Sequence, residues 1–249
     1  EVIANFSRNS VGKRNIFAWI APTDFIVSDT TWRIHPATIE LNDKVTNVQG
    51  FKVTTQLPNS ALRSIEINGN VSPDETDTLF VALNDINIGY ILDLVNFKSV
   101  EFDGYATGEA VATSILNSPQ ANIDLTINNF LFNHAPMGTL YAKANWGNEP
   151  NWLALDATIS DPSSGHESKI NGGFQLGKKG EPDGLDLKIN TTRFNLAFIN
   201  FFTEDIFDDL QGRATGYCRI YGPFKKIDLE GDLMIDHASL GMPMLGTRY

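Results

Sequence analysis

One stretch of this chain occurs twice, which makes it a repeat protein before anything else. Asn87-Ile-Gly-Tyr-Ile-Leu-Asp-Leu-Val-Asn-Phe-Lys-Ser-Val-Glu-Phe-Asp-Gly-Tyr-Ala-Thr-Gly108 aligns without a gap on the stretch from Asn195 to Gly216. Asn87 meets Asn195, Tyr90 meets Phe198, and Gly104, Ala106, Thr107 and Gly108 meet Gly212, Ala214, Thr215 and Gly216. Downstream, Pro119 answers Pro223, and Asn133-His-Ala-Pro-Met-Gly138 answers Asp236-His-Ala-Ser-Leu-Gly241. A partial earlier copy begins at His35-Pro-Ala37. The spacing divides the chain into approximate repeats at 35–133 and 134–237, with a further one starting at 238–249.

Within each repeat the hydrophobic period changes. Phe51–Leu57, Ile65–Val71, Leu79–Leu83, Ile123–Ile127, Leu140–Trp146, Leu153–Ile159, Lys169–Phe174 and Leu185–Ile189 alternate apolar and polar residues and end at Pro, Gly, Asn or Asp. That is the pattern of half-buried strands joined by tight turns, and short connections imply antiparallel pairing. Ile34–Leu41 reads as a strand broken at Pro36. After Asn87 the apolar residues Ile88, Ile91, Leu92 and Val95 fall at helical spacing, as do Leu196, Ile199, Phe202 and Ile206 after Asn195. Each asparagine is a good N-cap. The expectation is therefore a short helix at 88–96 and another at 196–209. The fold class is mainly β: an elongated, repeat-built, curved antiparallel sheet with one short helix per repeat. Residues 1–31 are the least legible, and the ends of the chain read as cuts through a longer protein.

Composition excludes several functions. Hydrophobic residues are 42% of the 249, enough for a core, but the net charge is −11. Phosphate backbones and anionic headgroups need a basic footprint, so nucleic acid and simple membrane adsorption are set aside. The single cysteine, Cys218, reads as a buried structural thiol. Three of the four histidines, His35, His134 and His237, occupy one repeat position, which favours a structural role; His166 is the fourth. No phosphate loop, nucleophile elbow, metalloprotease motif or paired catalytic carboxylates are present. The acidic run Glu204, Asp205, Asp208 and Asp209 reads as a solvated helix face. The chain is expected to be no enzyme and to carry no metal or cofactor.

What remains is apolar surface. Ile65 and Ile67; Leu79, Val81 and Leu83; Ile123, Leu125 and Ile127; Leu153, Leu155 and Ile159; and Leu185, Leu187 and Ile189 each line one side of a strand. Such sides either close on one another as a dry core or line an apolar groove along the repeat axis.

The ordered string from Leu196 onward adds a resemblance. It runs through Leu210-Gln-Gly-Arg-Ala-Thr-Gly216, Gly222-Pro223, Ile227-Asp-Leu-Glu-Gly231-Asp-Leu and Asp236-His-Ala to Thr247-Arg-Tyr249. It resembles the TamB-like members of the AsmA-like cell-envelope protein family, best over 195–249 and more weakly over 87–140. Gly212, Gly216, Gly222, Pro223 and Gly231 match the family's motif, as do Gly104 and Gly108 in the first copy, and all are read as backbone-shaping. Asn117-Ser-Pro119 replaces Gly-Pro in that first copy.

The resemblance implies a taco-shaped β-groove in the periplasm of a Gram-negative bacterium, on a parent anchored in the inner membrane. It also implies an Omp85-type outer-membrane partner and a part in lipid transport or outer-membrane biogenesis. Phospholipid acyl chains would be the cargo, held in the groove. Two other readings stay open. One is a scaffold whose sheet edge pairs with nascent outer-membrane strands. The other is an adhesin or glycan-binding sandwich using Trp19, Trp32, Trp146 and Trp152.

Overall fold

A computed structural model of the chain describes residues 1–8, 12–27, 30–56, 61–94, 101–117, 119–146, 149, 151–161, 164–175, 182–200, 208–224, 226–242 and 247–248. The chain is all-β, and most of the described residues lie in strands. The strands pair antiparallel in one sheet that is not closed among the described residues.

In chain order the elements begin with β1 (Val2–Arg8), β2 (Arg14–Ile20), β3 (Thr23–Val27) and β4 (Thr30–Ile34). β5 (Ala37–Asn42), β6 (Val45–Thr55), β7 (Arg63–Val71) and β8 (Thr78–Asn87) follow, then α1 (Ile88–Leu94). Next come β9 (Phe102–Thr113), β10 (Gln120–Phe132), β11 (Ala135–Trp146), β12 (Trp152–Ser160), β13 (Glu167–Gln175) and β14 (Gly184–Asn195). A 3-10 turn at Leu196–Ile199 leads to β15 (Asp208–Pro223), β16 (Asp228–Met242) and β17 (Thr247–Arg248). Every strand expected from alternation is present, and the break at Pro36 separates β4 from β5.

The chain forms two compact units that interleave along the sequence. One comprises Glu1–Ile86, Ala106–Asp124 and Asn145–Asn148; the other comprises Asn87–Tyr105, Leu125–Ala144 and Glu149–Tyr249. In the first unit, cross-strand partners place Ala4, Ala18, Ile39, Val48, Gly69 and Leu79 in one row. Directly opposed residues share a face. Phe51, Ile67 and Val81 form the next row, and Val53, Ile65 and Leu83 the one after. A bulge between Val48 and Phe51 keeps both on the same side.

The first copy of the repeated stretch begins as the spacing predicts. Asn87 Oδ1 accepts from the Gly89 N–H at 2.8 Å, capping α1. Its described part ends at Leu94, so residues 95–96 of the expected helix lie outside the described residues.

The second copy departs from expectation. Asn195 Oδ1 accepts from the Ala197 N–H at 3.0 Å and opens the 3-10 turn, while residues 201–207 of the expected helix lie outside the described residues. Asn200, next after it, reaches ahead: its Oδ1 accepts from the Leu210 N–H at 2.7 Å and its Nδ2 donates to the Leu210 carbonyl at 3.0 Å. A side-chain amide standing in for a strand partner draws the backbone before Gly212 into β15, so Asp208 and Asp209 begin a strand rather than end a helix. Glu204 and Asp205 lie outside the described residues.

The threonine of each Gly-x-Ala-Thr-Gly copy accepts from a residue at positive φ on the preceding strand, and at the second copy this residue lies in a bulge. Arg193 sits at φ +50 where the β14–β15 register shifts, and its N–H donates to Thr215 Oγ1 at 3.0 Å. In the other unit Asp85 sits at φ +52 and donates its N–H to Thr107 Oγ1 at 3.0 Å. A non-glycine residue at positive φ persists only when its surroundings hold it there. Thr215→Val keeps the shape and removes the acceptor. It is expected to cost about 1–2 kcal/mol and lower Tm by roughly 3–6 °C in a thermal melt; an unchanged Tm would exclude the role.

Candidate functional site

The register of the second unit gathers the strand sides singled out from the sequence into one continuous face. Leu153 opposes Phe174, Phe174 opposes Leu185, and Leu185 opposes Gly222. The next row reads Leu155, Gly172, Leu187, Ile220 and Leu229. The third reads Ala157, Ile170, Ile189, Cys218 and Gly231. Leu153, Leu155, Ile159, Leu185, Leu187 and Ile189 therefore share one surface, while Ile65, Ile67, Leu79, Val81 and Leu83 share the corresponding surface of the first unit. Ile123 belongs to the first unit, and Leu125 and Ile127 to the second, all on β10.

Burial changes along this face. At one end Ala157, Ile159, Ile189 and Cys218 are buried, as is Ala214, and in the row of Leu155 only Ile220 is. At the other end Leu153, Leu155, Phe174, Leu185 and Leu187 are only half-buried, and Leu229 is 48% exposed. The face is thus dry core at one end and accessible apolar surface at the other. At the closed end two buried hydroxyls interrupt it and satisfy each other, Ser168 Oγ and Thr191 Oγ1 at 3.0 Å. Burial pushes the Cys218 thiol up from its ordinary pKa, which makes it a poor nucleophile near neutrality.

The opposite side of the same strands is charged. Asp156, Asn171, Lys188, Arg219 and Glu230 form its row. Arg219 grips Asp186 with two 2.8 Å bonds, reaches Glu230 at 3.2 Å and lies 4.5 Å from the centre of the Tyr221 ring. The Arg219 hydrogen bonds hold the Asp186 carboxyl below the usual carboxylate range. Such bidentate pairing is the strong form of the interaction. It keeps the charged groups on one side of the sheet and the apolar residues on the other.

Of the glycines matched to the motif, Gly104, Gly108, Gly212, Gly216 and Gly222 have positive φ. Gly216 is the clearest requirement: at φ +141 a Cβ would run into the Asp232 carbonyl oxygen of the neighbouring strand. Gly231 has no room for a side chain against the Tyr217 carbonyl and Cys218. Pro223 closes β15. Gly172 was not among the residues singled out, yet it occupies the centre of the apolar face; its echo of Gly69 in a second Ile-Asn-Gly segment was the available signal.

At the closed end lies a cavity of about 390 Å³. Buried Phe130, Met137, Ile159 and Phe194 form its apolar wall. Asp161, His166, Arg193 and Arg213 line its polar side. Arg213 Nη1 donates to Asp161 Oδ2 at 2.6 Å and to the Arg193 carbonyl at 3.2 Å. Arg193 Nη1 also meets Asp236 at 3.6 Å. The Asp161 N–H donates to the His166 carbonyl at 3.0 Å, closing the turn that carries both. Asn195 Nδ2 donates to the Pro136 carbonyl at 3.2 Å, tying the 3-10 turn to β11 beside the cavity.

The histidines make different contacts. His35 Nε2 lies 2.9 Å from Thr54 Oγ1, and the exposed His134 lies 2.8 Å from Glu101. His134 and His237 share a left-handed backbone, at φ +65 and +53. No cluster of His, Cys, Asp and Glu able to hold a metal occurs among the described residues. The four tryptophans lie on four different strands, β2, β4, β11 and β12. Comparison with protein-family models, with curated proteins and with solved structures finds no match to this chain.

Proposed function

We propose that this chain carries lipid acyl chains on the accessible part of its apolar face, as the periplasmic segment of a TamB-like envelope protein. The observation that carries the reading is the register. It lines up half-buried Leu153, Leu155, Leu185 and Leu187 across neighbouring strands while the reverse side is held by charged pairs. Removing acyl chain from water is worth roughly 0.8 kcal/mol per methylene. A surface with no polar partner for the tail offers similar affinity at each step, so a chain slides rather than sticks.

Two equivalent contacts, the Asp85 N–H to Thr107 and the Arg193 N–H to Thr215, each from a residue at positive φ, support the repeat-built, curved-sheet reading of the fold. In this view the parent is anchored in the inner membrane, meets an Omp85-type protein in the outer membrane, and moves phospholipid between the two by passive conduction.

The test is to purify the chain from bacteria and examine it by native mass spectrometry with lipid extraction. Near-stoichiometric phospholipid is the expected result. A lipid-free monomer that also fails to take up added phospholipid overturns the proposal.

A further inference from the structure

We infer that the cavity at the closed end of the apolar face binds the head of a single-chain carboxylate amphiphile, a selectivity the open part of the face lacks. The inference rests on the acyl-binding reading above and adds to it a headgroup. Its volume, about 390 Å³, lies near the lower end of the range typical of small-ligand sites, roughly 300–1,000 Å³, so it accommodates one chain and a small head. Its two sides match the two ends of such a molecule. Phe130, Met137, Ile159 and Phe194 take the first carbons of the tail, and Ile159 continues into the row of Leu153, Leu155 and Ala157 along β12.

The charge on the other side runs against that of the whole protein. In a chain of net charge −11, the cavity lining collects two guanidinium groups, Arg193 and Arg213, with a single carboxylate, Asp161. Both bonds made by the Arg213 side chain among the described residues leave from one nitrogen, Nη1. A guanidinium carries five N–H donors in a flat fork that fits a carboxylate two bonds at a time. Asp161 holds this fork at the cavity and competes with the ligand for it. Arg193 is placed beside it by the Thr215-pinned bulge, and its own partner Asp236 stands 3.6 Å away.

Isothermal titration with dodecanoate and with its uncharged glycerol monoester separates the two levels of the argument. Dodecanoate is expected to bind at least tenfold more tightly than the ester. Arg213→Gln should abolish that preference with ester binding unchanged. Asp161→Asn should strengthen dodecanoate binding severalfold, a gain that a purely structural ion pair would not give. Circular dichroism establishes that each variant is folded, and Asp161→Asn decides the matter if Arg213→Gln is not. Equal affinity for the two probes overturns the headgroup inference and leaves acyl binding standing. Failure of both probes to bind overturns both.

Discussion

Leu155→Asp is expected to cost the protein most of its acyl affinity while leaving the sheet folded. Leu155 is half-buried and opposes Gly172, whose other neighbour is Leu187. It has space on its open side, and a carboxylate there can keep its water. An acyl tail crossing the site then loses contact over about three methylenes, roughly 2.4 kcal/mol, or a fiftyfold loss in affinity. Lys188→Ala, on the charged side of the adjacent strand, is the matched control and should change binding by less than about twofold, as surface substitutions do. Displacement of a fluorescent fatty acid measures both. Undiminished binding by Leu155→Asp would remove the apolar face from the mechanism.

Gly172→Val is expected to destabilise the second unit by about 3 kcal/mol or more, and here the fold itself gives way. Gly172 sits at φ +143, and a Cβ would meet the carbonyl oxygen of Asp186, with its carbonyl carbon and the Leu187 Cα close behind. All three are backbone atoms of the next strand, so no rotamer change relieves the clash; the β13–β14 ladder must separate. Cys218 reports the damage directly. It is 3% exposed, two strands away on the same face, and its thiol is held protonated by burial. Thiol labelling should be slow in the native protein and quick in Gly172→Val at urea concentrations the native protein withstands. Equal labelling in the two would place the strain elsewhere.

How far the sequence could be read depended on distance along the chain. Alternation is local, so the strands and their apolar sides were legible from runs such as Leu153–Ile159 and Leu185–Ile189 alone. Register added what alternation could not: Leu155, Leu187 and Ile220 fall in one row because of hairpins that bring 155, 187 and 220 together.

The asparagine caps were legible for the same local reason, yet the end of the second expected helix was not, since Asp208 and Asp209 already belong to β15. Leu196, Ile199, Phe202 and Ile206 have the spacing of a helix stripe, but Asn200 bonds to Leu210 ten residues ahead, and such a contact leaves no periodic trace. The threonines of the doubled motif were visible but unread, because nothing in Gly-x-Ala-Thr-Gly names its partner on the preceding strand. The cavity was invisible for a related reason. Its wall draws on Phe130, Ile159 and Phe194, and its polar side on Asp161 and Arg213.

The Thr215-pinned bulge has a consequence for how the chain can vary in length. Before it, Leu185, Leu187, Ile189 and Thr191 bring every second residue to the apolar side; after it the count resumes at Phe194, which pairs with Ala214. The bulge works as a frameshift in a code that reads residues two at a time. Losing one residue from the regular run between Leu185 and Thr191 would put the side chains on its two sides out of phase, although no hydrophobic residue had been changed, whereas losing Thr192 or Arg193 would leave plain alternation with Phe194 still opposite Ala214. Additions and losses are tolerable in the turns, where the count restarts, and a bulge absorbs one residue, so the regular runs are the positions at which the chain can least afford a change of length.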